Sequence, residues 1–137
     1  MTQTIFDDLP LPPVARLLGW KLIAVDPKAG TIEIEFLAFA DFTNPSGFVQ
    51  GGMIAAMLDD TLGPAIFSMS GGQRMTTTID LHVHYVRPVR PGRVTTTVKV
   101  INLGSTIAFV EGRLFDREGR LAAMATASAM LADYRPR

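Results

Sequence analysis

Residues 51–69 read Gly51-Gly52-Met53-Ile54-Ala55-Ala56-Met57-Leu58-Asp59-Asp60-Thr61-Leu62-Gly63-Pro64-Ala65-Ile66-Phe67-Ser68-Met69. Drawn as a helix, this stretch carries apolar side chains on nearly every face, and a helix that is apolar all round is buried on most sides. Pro64 removes one backbone hydrogen bond and is expected to kink the last turns, and Gly71-Gly72 ends the segment. Such a helix needs a layer wrapped around it, and the flanking sequence supplies strands.

Upstream, residues 31–36 alternate, with Ile32, Ile34 and Phe36 on one face and Glu33 and Glu35 on the other. That is the pattern of a half-buried strand. Residues 20–25 form a second short strand, joined to the first by the turn at 26–30. Earlier still, Pro10, Pro12 and Pro13 break the chain, and residues 14–18 suit a short helix closed by Gly19. Residues 41–52 form a loop rich in Asn, Pro, Ser and Gly that leads into the long helix.

Downstream, residues 76–86 alternate again. Ile79, Leu81, Val83 and Tyr85 fall on one face, and Thr78, Asp80, His82 and His84 on the other. After a connector at 87–92, residues 94–101 and 106–115 read as two strands joined by 102–105, and 116–119 as a hairpin turn. Residues 121–132 are rich in Ala, Met and Leu, which favours helix on propensity. Their place after a tight turn, at the end of a meander, favours a strand, and a strand is expected. The order is strand, strand, buried helix, four strands: an α+β fold with about six antiparallel strands wrapped around one helix, in a single domain over 1–137.

Composition narrows the function classes. A chain of 137 residues can bury a core without a disulfide or metal staple. Hydrophobic residues make up 47% and charged residues only 19%, and that surplus of apolar surface points to burial between subunits of a homo-oligomer. Lys+Arg and Asp+Glu number 13 each, so no basic field exists to collect nucleic acid. The absence of cysteine excludes disulfides, thiolate zinc sites and a cysteine nucleophile, and it suits a reducing cytosol. Residues 1–8 carry acids and no basic segment, unlike a signal peptide. No apolar run approaches the roughly 18 residues of a membrane helix. A cytoplasmic protein with no membrane partner is expected.

Two features of the long helix carry chemistry. Gly51-Gly52 offers bare backbone N–H groups at the positive end of the helix dipole, where an oxyanion can be stabilised; glycines at that point also serve a tight loop-to-helix turn. Asp59, with Asp60 beside it, puts a carboxylate inside an apolar helix, which is costly without a purpose or a partner. A desolvated carboxylate near neutral pH is a general base or a nucleophile; a buried ion pair with an arginine is the structural alternative. The two acids point about 100° apart and cannot both face one site. Elsewhere, His82 and His84 beside Asp80 suggest a His-x-His metal site, but the chain has no other Cys or His to complete one, and a surface or subunit contact is favoured. Arg87, Arg90 and Arg93 flank two prolines and suit the phosphates of coenzyme A, or are solvated charges.

The run Asn44-Pro45-Ser46-Gly47-Phe48-Val49-Gln50-Gly51-Gly52, followed by Leu58-Asp59 and Gly63, resembles the hotdog-fold thioesterases, in particular their phenylacetate-pathway (PaaI-like) acyl-CoA subgroup. The resemblance extends from about residue 20 to 131 and includes Tyr85-Val86-Arg87-Pro88 and Gly104. It implies hydrolysis of an acyl-CoA thioester with no metal or redox cofactor. By that resemblance Asp59 is the catalytic acid and Asp60 a surface or interface charge, the Gly51 N–H and Asn44 hold the oxyanion, and Thr78 places the attacking water. Asn44 has an Asx turn before Pro45 as its structural alternative. Gln50 stands where the family carries His, so it can hydrogen-bond but not titrate. Ser105 stands where the family often has a basic residue. Gln50, Gly52, Val49, Phe48 and Met53, with Arg87 and Arg90, are the expected substrate-binding residues; Met57 and Phe67 also border the acyl group.

Spacing adds a constraint. Gly51 and Asp59 lie about 12 Å apart along a helix, whereas a reacting carbon must sit about 3–3.5 Å from its attacking group. One chain does not readily supply both, so the acid of one copy is expected to meet the helix head of another, in a dimer or dimer of dimers. A non-catalytic acyl-CoA or fatty-acyl binder is the alternative, motivated by Gln50. A hydratase is disfavoured because the Asp and His pair that chemistry wants is not present in this region.

Overall fold

The structure, a computed structural model, describes residues 3–136. A short helix α1 (Pro13–Leu18) precedes β1 (Lys21–Asp26) and β2 (Thr31–Ala38). A 3₁₀ turn (Ala40–Phe42) and a loop then lead into α2 (Gly51–Met69). Strands β3 (Arg74–Tyr85), β4 (Gly92–Leu103), β5 (Ile107–Phe115) and β6 (Leu121–Asp133) complete the chain. All pairings are antiparallel, in the spatial order β1-β2-β4-β5-β6-β3. The expected α+β architecture is the one observed, including the strand at β6. Among the described residues, no helix is long and apolar enough to cross a membrane.

The alternation of β2 holds: Ile32, Ile34, Phe36 and Ala38 are buried and the residues between them half-buried. Inward residues of the neighbouring strands, among them Val94, Val98, Val110, Leu114 and the alanines of β6, join Met57, Leu58, Leu62 and Ile66 of α2 in one core. Small side chains let the helix sit close to the sheet. A Cβ at Gly112 would stand 3.4 Å from Leu58 and 3.2 Å from Val98. One polar bolt crosses this core, where the Thr61 and Thr96 hydroxyls hydrogen-bond at 2.6 Å and Thr61 also donates to the Met57 carbonyl.

The helix runs through Pro64 without interruption. Proline lacks the N–H that would reach the carbonyl four residues earlier, which is that of Asp60. The Trp20 indole N–H donates to that carbonyl at 3.2 Å, so the orphaned group is satisfied from outside the helix.

The connection between β2 and β3 carries α2 across the sheet and delivers β3 to the far edge, beside β6. Here the expected faces need correction. A bulge falls between Thr78 and Asp80, so Ile79 is an extra residue in the strand. Ile79 is 52% exposed, not aligned with half-buried Leu81 and Val83. Thr78, expected on the face of Asp80, His82 and His84, instead faces the helix. Among the described residues, the other side of β3 has no partner strand.

Candidate active site

The loop before α2 is pinned by its own backbone. Val49 N–H donates to Val89 O, Gln50 N–H to Phe42 O, and Asn44 N–H to Phe48 O. Gln50 is the N-cap, but its exposed side chain makes no capping bond. Its carbonyl accepts from Met53 and Ile54. The Gly51 and Gly52 amides are among the first-turn donors that a helix cannot satisfy itself. Gly51 also lies close under Tyr85: an added Cβ would stand 3.2 Å from the Tyr85 ring, whose hydroxyl donates to the Gly51 carbonyl at 2.7 Å. Gly52 is exposed, with open space around it.

Asn44 uses its side-chain oxygen locally, accepting from the amides of Ser46 (3.0 Å) and Phe48 (3.2 Å). This is the Asx-turn alternative. It also fixes the amide plane and leaves the Nδ2 hydrogens as the group's donors.

At the other end of the site, Thr78 Oγ1 donates to Asp59 Oδ1 at 2.7 Å. The bulge makes this contact possible by turning Thr78 toward α2. Asp59 is exposed in the single chain, which corrects the expectation that the apolar helix itself buries it. Asp60, expected as a surface or interface charge, is the more buried acid. Its Oδ2 is buried without a hydrogen-bond partner. Burial, and next the Asp59 charge beside it, push its pKa up to about 6.

That shift has a stability consequence. The folded pKa lies above the ordinary value of 3.8, so the folded state holds the proton more tightly. Its contribution is fully present below pH 3.8 and is lost as pH rises through about 6. Asp60→Asn is expected to gain on the wild type across that window, by on the order of 1 kcal/mol because water screens a partly exposed carboxyl. Urea midpoints at pH 4 and pH 7.5 measure this; an equal gap at both values would refute it.

Asp60 opens onto a cavity of about 340 Å³ lined by Phe6, Trp20, Phe67, Met75, Thr76 and Tyr134, with the 9–12 segment as a strap. The aromatic rings touch in series, Trp20 with Phe6, Phe6 with Phe67, and Phe67 with Tyr134, at 5.1–5.9 Å. Thr76 lies two residues from Thr78, so the cavity begins about 7 Å along the strand from the Asp59–Thr78 pair.

A second cleft of about 310 Å³ gathers Phe48, Arg87 and Arg90 with Arg117 and Arg120. Arg90 lies over the Phe48 ring at 5.2 Å. Arg120 is held by Asp116 and Glu118, and Arg93 pairs with Glu35 away from the cleft. Where Ser105 replaces a basic residue, Arg74 reaches across from β3 and donates to the Ser105 carbonyl at 3.0 Å.

The structure thus brings Asp59 together with Thr78, and Phe48 with Arg87 and Arg90. It places Gly51 in the first turn of α2 and Asn44 in the loop before it, apart from the Asp59–Thr78 pair. Val49 and Met57 are buried in the core, Met53 packs against that core, and Phe67 alone of the expected acyl-bordering residues lines the aromatic cavity. Sequence reading missed Trp20, Thr76, Tyr85 and the N-terminal strap. For Trp20 a signal existed: Pro64 frees the Asp60 carbonyl, and a donor had to come from elsewhere.

Comparison with known proteins matches residues 46–123 to the thioesterase superfamily. Among solved structures, the phenylacetic acid degradation-related protein of Ralstonia eutropha JMP134 is 35% identical, with a TM-score of 0.84 over 90% of this chain and 93% of that one. The PaaI protein of Escherichia coli, from its phenylacetic acid degradation operon, superposes with a TM-score of 0.80 over 88% and 85% of the two chains. At 17% identity that match speaks to the fold alone. A Saccharolobus solfataricus protein named as an esterase by inference is 29% identical over 115 residues, 84% of this chain and 80% of its own.

Proposed function

The chain belongs to the thioesterase superfamily, and from that premise we propose that it hydrolyses an acyl-CoA thioester at a site completed by two copies of the chain. The observation that carries this reading is the split of the chemistry along β3. Asp59 sits over Thr78 at one point of that edge strand, and the Gly51 helix head sits over Tyr85 at another. A twelve-residue strand with one unpaired edge is a template for pairing. Two copies joined antiparallel along it set each acid against the other's helix head.

In this reading Asp59 activates water, or attacks the thioester carbonyl directly. Thr78, donating to the acid, stands where it also positions the water. The carbonyl oxygen becomes an oxyanion held by the Gly51 N–H of the second copy and by Asn44 Nδ2. Collapse of the tetrahedral species expels the coenzyme A thiolate, which takes up a proton; a direct attack leaves an acyl-Asp59 anhydride that water then opens. The aromatic cavity on the acid's side takes the acyl group. The Phe48–Arg90–Arg87 cleft, on the chain that gives Gly51, meets the phosphates or the adenine of coenzyme A. No cofactor is invoked, and a cysteine-free chain suits the reducing cytoplasm in which we place the reaction.

The test is a panel of aryl-acetyl, benzoyl-type and medium-chain acyl-CoAs with free-thiol detection, alongside light scattering. Thiol release from at least one substrate and a mass of at least two chains are expected. A monomer would sink the shared site. Tight binding without thiol release would favour the ligand-binding reading that Gln50 motivates.

A further inference from the structure

The exposed face of β3 carries two histidines that the proposed hydrolysis does not use. Their Nε2 atoms lie 3.1 Å apart, with ring centroids at 4.5 Å and the rings tilted 59°. Two imidazole nitrogens each about 2.05 Å from one ion and 3.1 Å from each other subtend an angle of about 100° at it, between octahedral and tetrahedral values. The spacing of the pair suits one ion, which would replace the proton the two nitrogens share. Within the described residues of one chain no third ligand joins them.

The third ligand follows from the shared-site reading, on which this inference rests. Asp59 contacts Thr78, and Gly51 contacts Tyr85. For the acid of one copy to meet the helix head of the other, Thr78 must pair opposite the partner's Tyr85. The bulged Ile79 counts as no step in the ladder, as it does against β6. Counting inward from Thr78 and Tyr85 places Asp80 opposite the partner's His84, Leu81 opposite the partner's Val83, and the two-fold axis at His82. Directly opposed residues in an antiparallel pair share a face, with Cβ atoms about 5 Å apart. Asp80, His82 and His84 all lie on the outward face, where Asp80 Oδ1 is held by the Ser128 amide and hydroxyl. Its other oxygen remains for an ion.

We propose that each copy binds a divalent transition ion of the zinc class through His82 Nε2 and His84 Nε2, with the partner's Asp80 as third ligand, giving two symmetric two-histidine, one-carboxylate sites astride the dimer axis. Ions bound this way join the chains on the outward face of the sheet, opposite the face that carries Thr78 and Tyr85 under the helix, so the metal tightens the dimer without entering the hydrolysis.

Zinc chloride titrated into chelator-stripped protein by calorimetry tests this. One ion per chain is expected, with a rise in melting temperature. His84→Gln and Asp80→Asn are each expected to weaken zinc about tenfold or more, while thiol release stays at the wild-type level. Mixing these two variants decides whether the ligands come from different chains. A hybrid dimer holds one site with both lesions and one with neither, so tight binding returns in the mixture. No recovery overturns the shared site, and zinc affinity unchanged in His84→Gln overturns the chelate. A dimer that binds no zinc refutes this inference alone; a monomer by light scattering refutes the shared active site beneath it.

Discussion

Asp59→Asn is expected to lower kcat by about 10²–10⁴-fold, the range a positioned general base contributes, with KM for the same acyl-CoA within a few-fold of wild type. The substitution is close to isosteric, and the new amide oxygen still accepts from the Thr78 hydroxyl. The acid is exposed in the single chain, so the melting temperature should shift by no more than a surface change allows. Unchanged turnover would remove Asp59 from the mechanism. Asp60→Asn is the matched control. It removes the acid with the raised pKa, yet its carboxyl points about 100° away around the helix. A collapse of kcat in Asp60→Asn with turnover kept in Asp59→Asn would exchange the two roles.

A hybrid experiment separates a shared site from one built in a single chain. Gly51→Val puts a branched side chain against the Tyr85 ring, 3.2 Å from where its Cβ stands, and so crowds the Gly51 amide at the helix head. Alone it should be as inactive as Asp59→Asn. In a two-fold dimer, a randomised equal mixture is half hybrids, each with one intact site of two, so about one quarter of wild-type activity returns. Sites confined to one chain return none.

What the sequence made legible follows from how local each cause is. The ends of α2 and the inward face of β2 rest on periodicity and on glycines, and both were readable residue by residue. The strand at β6 was readable from its place after the Asp116–Gly119 turn, although its alanines argue for helix when isolated. The bulge at Ile79 was not readable, because the heptapeptide Thr78 to His84 alternates without a break in sequence while the ladder does not. That one residue decides whether Thr78 faces water or Asp59. The burial of the two acids was illegible for a related reason. Asp60 faces a cavity lined by the N-terminal strap, and Trp20 donates to the carbonyl that Pro64 frees, across 40 residues and more of sequence. Asn44 was half legible: the Asx turn is local and is present, whereas a ligand for its Nδ2 depends on a second chain.

Phe36→Ala is expected to cost about 3–5 kcal/mol, a large share of the roughly 5–15 kcal/mol available to a domain. Phe36 is fully buried at 0% exposure. It sits on β2 opposite Val94 of β4, in the core that also holds the α2 residues Met57, Leu58 and Leu62. Phe36 is fixed by the β2–β4 ladder and by the core it shares with the helix, so its removal leaves a cavity that relaxes only in part. Urea unfolding should show a much lower midpoint with an unchanged slope, the mark of a stability loss in an unaltered fold. Phe109→Ala is the control that isolates burial from residue type. Phe109 is 50% exposed on the outer face of β5, and its loss should cost within about 0.5 kcal/mol. Equal losses at the two positions would mean that the outer face is itself covered by another copy in solution; a small loss at Phe36 would mean that the helix is not held by this core at all, and the placement of Asp59 over Thr78 would then need a different support.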